Sequence, residues 1–353
     1  MRGLPSTGAL APERDLLIAE FELTAARYDR AEDAIHRVLA TEPGPRLEAR
    51  TWLLQAAVLG EKGDYKGARR AAEVAAATIQ SLPEGQDLQI HGWHTSGLIK
   101  LGTGDPQGAL ADFGKAFDAT EVLYGPGHLH SVRALSHRGL AKKALGDLPG
   151  SLAEHDRALA LDRTLRGPGH PLLARHYHNR GGVLRLLKRF DDALASSDRA
   201  KELRVASFAP EHPRVALTLN SMGLVELDRG DLNAAAKRFE RAALLLEAAG
   251  DHRRARPLTN QALVLERRRK RLAALRAYRR ARAAWVSGVG DGAPQVAEVE
   301  RAIARLSAKA KPAKTPPKAA VGAGKPDPAE GKPKPAGPAV SPSYGSTPTW
   351  TRQ

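Results

Sequence analysis

No cysteine occurs among the 353 residues. That absence excludes a disulfide framework, a zinc ribbon and a thiol nucleophile. Aromatic residues make up only 5% of the chain, so a single core of this size would be short of large side chains. Few β-branched or aromatic runs exist, which argues against strands. No apolar stretch approaches the roughly 18–20 residues of a membrane span. Residues 1–12 lack a basic region followed by an apolar block, so no signal peptide is read there and a cytoplasmic location is expected. Acids are outnumbered, 39 Asp and Glu against 55 Lys and Arg, for a formal net charge of +16.

What the chain does have is Ala, Leu and Arg. Ala lets helix backbones approach and Leu fills the space between them. A phrase also recurs: Gly-Asp, an apolar residue, then a small residue, with another small residue seven positions on. It stands at Gly63-Asp64-Tyr65, Gly104-Asp105-Pro106, Gly146-Asp147-Leu148 and Gly230-Asp231-Leu232, with variants at Arg27-Tyr28, Arg189-Phe190 and Arg271. The first small residue falls at Ala31, Ala68, Ala109, Ser151, Ala193, Ala235 and Ala274, and successive subtraction gives steps of 37, 41, 42, 42, 42 and 39. Such a period marks a repeat architecture.

Twelve residues before each anchor stands another small residue: Ala19, Ala56, Gly97, Gly139, Gly181, Gly223 and Ala262. Four residues earlier the position is large in most copies, as at Trp52, Trp93 and Tyr177, but the first copy has Asp15. Each unit therefore reads as two helices, A and B, crossing closely at the small residues. Gly ends helix A because it tolerates positive φ, and Asp caps helix B.

Trp or Leu, Gly or Ala, Tyr or Phe, and Ala recur in this order over residues 10–285. The pattern resembles the tetratricopeptide repeat family, and the 42-residue units resemble its kinesin-light-chain-like subfamily. The resemblance implies an all-α fold, a right-handed superhelical solenoid of about seven helix pairs. The expected organisation is an N-terminal extension over 1–12, repeats over 13–290, a capping helix over 291–308 and a disordered Lys/Pro/Ala-rich tail over 309–353. One unit cannot bury its apolar face alone, so stacked neighbours supply the core.

Motifs for chemistry are missing. Asp112-Phe113-Gly114 spells a kinase tripeptide, but no phosphate loop or catalytic loop accompanies it. The boundary loops Gly125-Pro126-Gly127-His128, Gly167-Pro168-Gly169-His170 and Pro210-Glu211-His212 lack the Lys-Ser/Thr of a phosphate loop and read as turns. Pairs such as His91 with His94, or His176 with His178, have no carboxylate or Cys at matching spacing. No catalytic residue, metal or cofactor is expected.

In the resembled family helix A lines the concave face. In that register the inner positions are His91, His94, Arg133, His137, Arg175, His178, Asn179, Asn220, Arg256 and Asn260. Asn can bond a peptide backbone as donor and acceptor, and Arg can clamp a carboxylate. The expected partner is a protein or peptide segment of acidic character. An alternative arises from the C-terminal end, where Arg267, Arg268, Arg269, Lys270, Arg271, Arg276, Arg279 and Arg280 make a basic patch. Such a patch draws nucleic acid without sequence preference, as no aromatic interleaving accompanies it. A third alternative is a regulatory partner in a bacterial signalling system, which similar arrays accompany.

Overall fold

The computed structural model of the chain describes residues 11–25 and 27–308. The N-terminal residues 1–10 and the predicted tail, 309–353, lie outside the described residues. Among those described there is no strand.

Seven helix pairs follow one another, and the all-α solenoid is as the repeat predicts. The A helices are α1 (Ala11–Thr24), α3 (Pro45–Lys62), α5 (Gln86–Gly102), α7 (Leu129–Ala144), α9 (Leu173–Leu186), α11 (Pro213–Arg229) and α13 (Ala255–Arg267). The B helices are α2 (Tyr28–Leu39), α4 (Tyr65–Gln80), α6 (Pro106–Tyr124), α8 (Leu148–Arg166), α10 (Phe190–Phe208), α12 (Leu232–Ala248) and α14 (Arg271–Val289). A final helix, α15 (Pro294–Ala308), covers the last pair.

The Gly-Asp turn works as its chemistry requires. Gly230 closes α11 at φ 95°, a conformation that strains any residue with a Cβ. The Asp231 carboxylate then accepts the Ala234 backbone N–H at 2.9 Å, satisfying a donor that α12 leaves open. Asp64, Asp105 and Asp147 repeat this bond to Gly67, Gly108 and Gly150. In the longer loops the imidazole takes over the task. Nδ1 of His128, His170 and His212 accepts the backbone N–H two residues on, at 3.1–3.3 Å.

The small residues of helix A receive a side chain from helix B sixteen positions later. A Cβ placed on Gly97 would stand 2.4 Å from the Phe113 ring, and one on Gly223 would stand 2.7 Å from Phe239. Only glycine lets those rings lie flat on the helix. Asp112, beside Phe113, is tied to Ser96 at 2.6 Å and Lys100 at 2.7 Å, an internal bond with no kinase-like purpose.

In the fourth repeat His155 occupies the place of these rings, fully buried under Gly139. Neither of its ring nitrogens has a hydrogen-bond partner, and burial pushes its pKa down to about 3. An unsatisfied buried polar group costs about 1–3 kcal/mol. His155→Phe, the residue that repeats three and six use, is therefore expected to stabilise the solenoid by about that amount. Chemical denaturation checks it; a lower midpoint would show that the imidazole is needed.

Both ends depart from the pattern for visible reasons. Asp15 is nearly buried and faces Arg37 at 3.5 Å. At the other end Arg271 donates from Nε to the Leu306 carbonyl at 2.8 Å, tying α14 to the closing helix. Val296, Val299, Ala302 and Leu306 of α15 bury against Tyr278 and Trp285.

Candidate functional site

The A helices present a row that the anchors make explicit. Arg50, His91, Arg133, Arg175 and Arg256 each stand eighteen residues before Ala68, Ala109, Ser151, Ala193 and Ala274. One helical position thus carries a basic side chain in five of the seven repeats.

The neighbours of that row differ from expectation. His94 and His137 are not inner surface positions: both are buried, and they meet each other Nδ1 to Nδ1 at 3.1 Å above Phe113. They join α5 to the neighbouring A helix α7, so they hold two repeats together instead of facing a partner. His91 meets Nη1 of Arg133 at 3.0 Å. Asn260 donates to the Asn220 side-chain oxygen at 2.8 Å. Much of the anticipated ladder of amides and imidazoles is thus engaged between adjacent A helices. Asn179 is half-buried.

Arg175, His178 and Arg256 are engaged differently. Each keeps some contact with solvent, yet protein surrounds it on nearly every side. Arg175 Nε and His178 Nδ1 are fully buried and make no hydrogen bond. Burial holds the His178 pKa down to about 3, helped by Arg204, Lys143 and Arg256. Burial also lowers Arg133 to about 9, with Arg175 adding repulsion. His91, His94 and His137 are held well below the ordinary histidine range, first by burial and then by Arg133.

The interior is closed by a contact between the two ends of the solenoid. The Tyr28 ring at the start of α2 lies 5.9 Å from the ring of His252, edge to face. His252 belongs to a 3-10 turn, His252–Arg254, between α12 and α13. Glu61, near the end of α3, faces Arg253 and Arg256; burial raises its pKa to about 7 against their attraction. Side chains of the first two repeats therefore approach those of the last, and the space between them is the lumen of the solenoid.

Lys143, Arg204, Glu61 and the Tyr28–His252 contact escaped the sequence reading. Anchor alignment finds the row containing Arg50, but it has no register for helix ends and turns. Closure depends on the accumulated rotation of seven units, which no local pattern encodes.

At the basic end the structure engages several cations internally. Arg267 donates to the Leu227 carbonyl at 2.8 Å, and Arg268 donates to the Leu232 carbonyl at 2.7 Å. Arg280 lies 3.9 Å from Glu247. Arg269, Lys270, Arg276 and Arg279 are exposed. Among the described residues no group of three or more His, Asp or Glu is placed to hold a metal. None of the described helices is long and apolar enough to cross a membrane.

A family model described as tetratricopeptide repeat matches residues 130–195 and 172–248. No curated protein sequence matches the chain. Among solved structures, a Rap protein complexed with Competence and Sporulation Factor is similar at a TM-score of 0.59 and 15% identity, over 83% of this chain and 88% of that one. The apo quorum sensor NprR from B. thuringiensis is similar at 0.56 and 14%, over 85% and 82%. NprR in complex with its cognate peptide NprX is similar at 0.56 and 14%, over 87% and 84%. At these identities the likeness is one of fold.

Proposed function

This chain is a tetratricopeptide repeat protein, and from that premise we propose that its lumen holds an extended, acidic segment of a partner protein without transforming it. The observation that carries this reading is the basic row on the A helices. Arg175 and Arg256 belong to this row, are largely surrounded by protein and form no ion pair with a carboxylate. Buried cations are ordinarily paired. A segment bearing carboxylates would supply the missing charge through bidentate guanidinium contacts.

The structures of similar fold support the peptide part of the reading, since one is a complex with Competence and Sporulation Factor and another a complex with a cognate peptide. The acidic part rests on this chain's own residues. The work would be done in the cytoplasm, as the sequence suggests. Nucleic-acid binding draws its support from the six exposed cations, Arg267, Arg269, Lys270, Arg276, Arg279 and Arg280, among the eight residues of the patch read from the sequence.

The test is direct. A fluorescent Asp/Glu-rich peptide and its Asn/Gln counterpart are titrated against the intact chain at physiological salt. The acidic peptide alone is expected to bind. Arg133→Ala with Arg175→Ala should weaken it at least about tenfold, because each charge-assisted hydrogen bond contributes roughly 1.5–3 kcal/mol. Circular dichroism should show the helices intact. Equal binding of both peptides, or no loss in the double variant, would sink the reading.

A further inference from the structure

The first helix, α1, shows solvent a stripe that the other A helices hide. Leu17, Ile18 and Phe21 are 42%, 37% and 63% exposed. With Arg14 they stand at spacings of three, four and seven residues, which is one side of a helix. Phe21 lies ten residues before its anchor, Ala31. The same position in the other repeats is Val58, Ile99, Ala141, Val183, Val225 and Val264, apolar and at most 6% exposed in every case. The cover there comes from the B helix of the preceding pair. Ile99 packs with Ala68 and Ala71, Ala141 with Ala109 and Phe113, and Val264 with Ala235 and Phe239.

Among the described residues no pair precedes α1. The opposite end shows how the fold finishes a terminus. There α15 covers the last pair and leaves Glu298, Glu300 and Arg301 exposed. In place of such a polar outer face, α1 keeps the apolar residues of a joint, and a contiguous exposed patch of that kind marks an interaction surface. The ten residues ahead of α1 are a poor cover. They include Gly3, Pro5 and Gly8, which disfavour a helix, and α2, the shortest α-helix of the array, already has 12 residues.

We propose that this stripe is the contact of a symmetric dimer, in which α1 packs antiparallel on α1 of a second copy. A two-fold contact must complement itself, and the stripe does. With the axis between residues 17 and 18, Leu17 and Ile18 meet their own copies. Arg14 of one copy then stands over the Phe21 ring of the other. Its side chain is 69% exposed, so it can reach that ring. The ring already holds one guanidinium, that of Arg27 at 5.4 Å, and the second would lie on it in the same way. A parallel pairing would instead set Arg14 against Arg14. Three side chains fall short of the roughly 800 Å² per partner of a stable interface, so the dimer is weak, with Kd on the order of 10–100 µM.

The test is sedimentation equilibrium of the intact chain from about 5 to 500 µM, a range that brackets such a Kd. The average mass is expected to rise from that of one chain toward that of two. Phe21→Glu should weaken association at least about tenfold. Helix content and Tm should stay as in wild type, because the substituted side chain is exposed. Orientation is read separately. The chain has no cysteine, so Ile18→Cys supplies one thiol beside the axis, and mild oxidation should link two copies through it. Glu13→Cys, more than a helical turn from the axis, should link far less. A mass that stays at one chain throughout would overturn the pairing. So would a dimer that Phe21→Glu leaves unchanged, or equal linking at positions 13 and 18.

Discussion

Phe239→Ala is expected to lower the stability of the solenoid by about 3–5 kcal/mol. The ring is fully buried and lies against Gly223, so nothing can collapse into the space it leaves except neighbouring side chains. Those neighbours, Leu227, Ala235 and Val264, bridge the sixth and seventh repeats. The loss therefore falls on an interface as well as on one unit. In a solenoid, stability is roughly a sum of unit and interface terms. The weakened interface should uncouple the C-terminal pair, giving two unfolding steps where wild type shows one. Urea denaturation followed by circular dichroism, and by fluorescence of a variant that keeps Trp285 as its one tryptophan, checks this. Coincident transitions with a shift under about 1 kcal/mol would mean that the glycine and ring do not form a close-packed joint.

The second large effect is a loss of stability in acid. His94, His137, His155 and His176 are buried, His91 and His178 are partly buried, and all six are held below the ordinary value of 6.5, desolvation being the first cause in each. The folded chain refuses protons that the unfolded chain accepts. Stability is therefore full above about pH 6.5 and falls as pH drops below it, by up to about 1.4 kcal/mol per pH unit for each histidine.

Three carboxyls act in the opposite sense. Burial raises Glu20 and Glu61 to about 7, and raises Glu226 as well. These take up a proton in the folded state first, so they add stability as pH falls from about 7 to 4.5. The histidines outnumber these glutamates, so stability still declines over pH 6.5–4.5. Below 4.5 the carboxyls no longer oppose, and the decline steepens until His155 and His178 titrate near 3. A domain with a typical 5–15 kcal/mol of stability should thus unfold well before pH 4. Tm measured from pH 8 to pH 4 should be flat above 6.5 and drop steeply beneath it. A Tm constant between pH 7 and 5 would contradict the burial of these imidazoles. His155→Phe should make the decline shallower by one histidine.

Much of this follows from one-dimensional information. The anchors Ala31 to Ala274, the Gly-Asp turns and the small residues of helix A specify seven helix pairs, because each feature is a local rule about backbone or cap chemistry. The row containing Arg133, Arg175 and Arg256 was legible for the same reason: one helical position repeats at one interval. His94 and His137 were misread because the register used for them ignored the adjacent A helix, against which those imidazoles pair. The degenerate positions Asp15 and Arg271 could be flagged in the sequence, but their partners, Arg37 and the Leu306 carbonyl, could not.

The sequence by itself therefore determined the repeat, its helices, its turns and the excess of positive charge. Only the tertiary structure decided that Tyr28 meets His252, that Glu61 faces Arg253 and Arg256, and that His94 pairs with His137. The reason is geometric. Each helix pair adds a small rotation that its own residues set, and their sum brings distant repeats together. Closure at a distance of seven units, and the desolvation that follows from it, belong to that sum and to no single repeat.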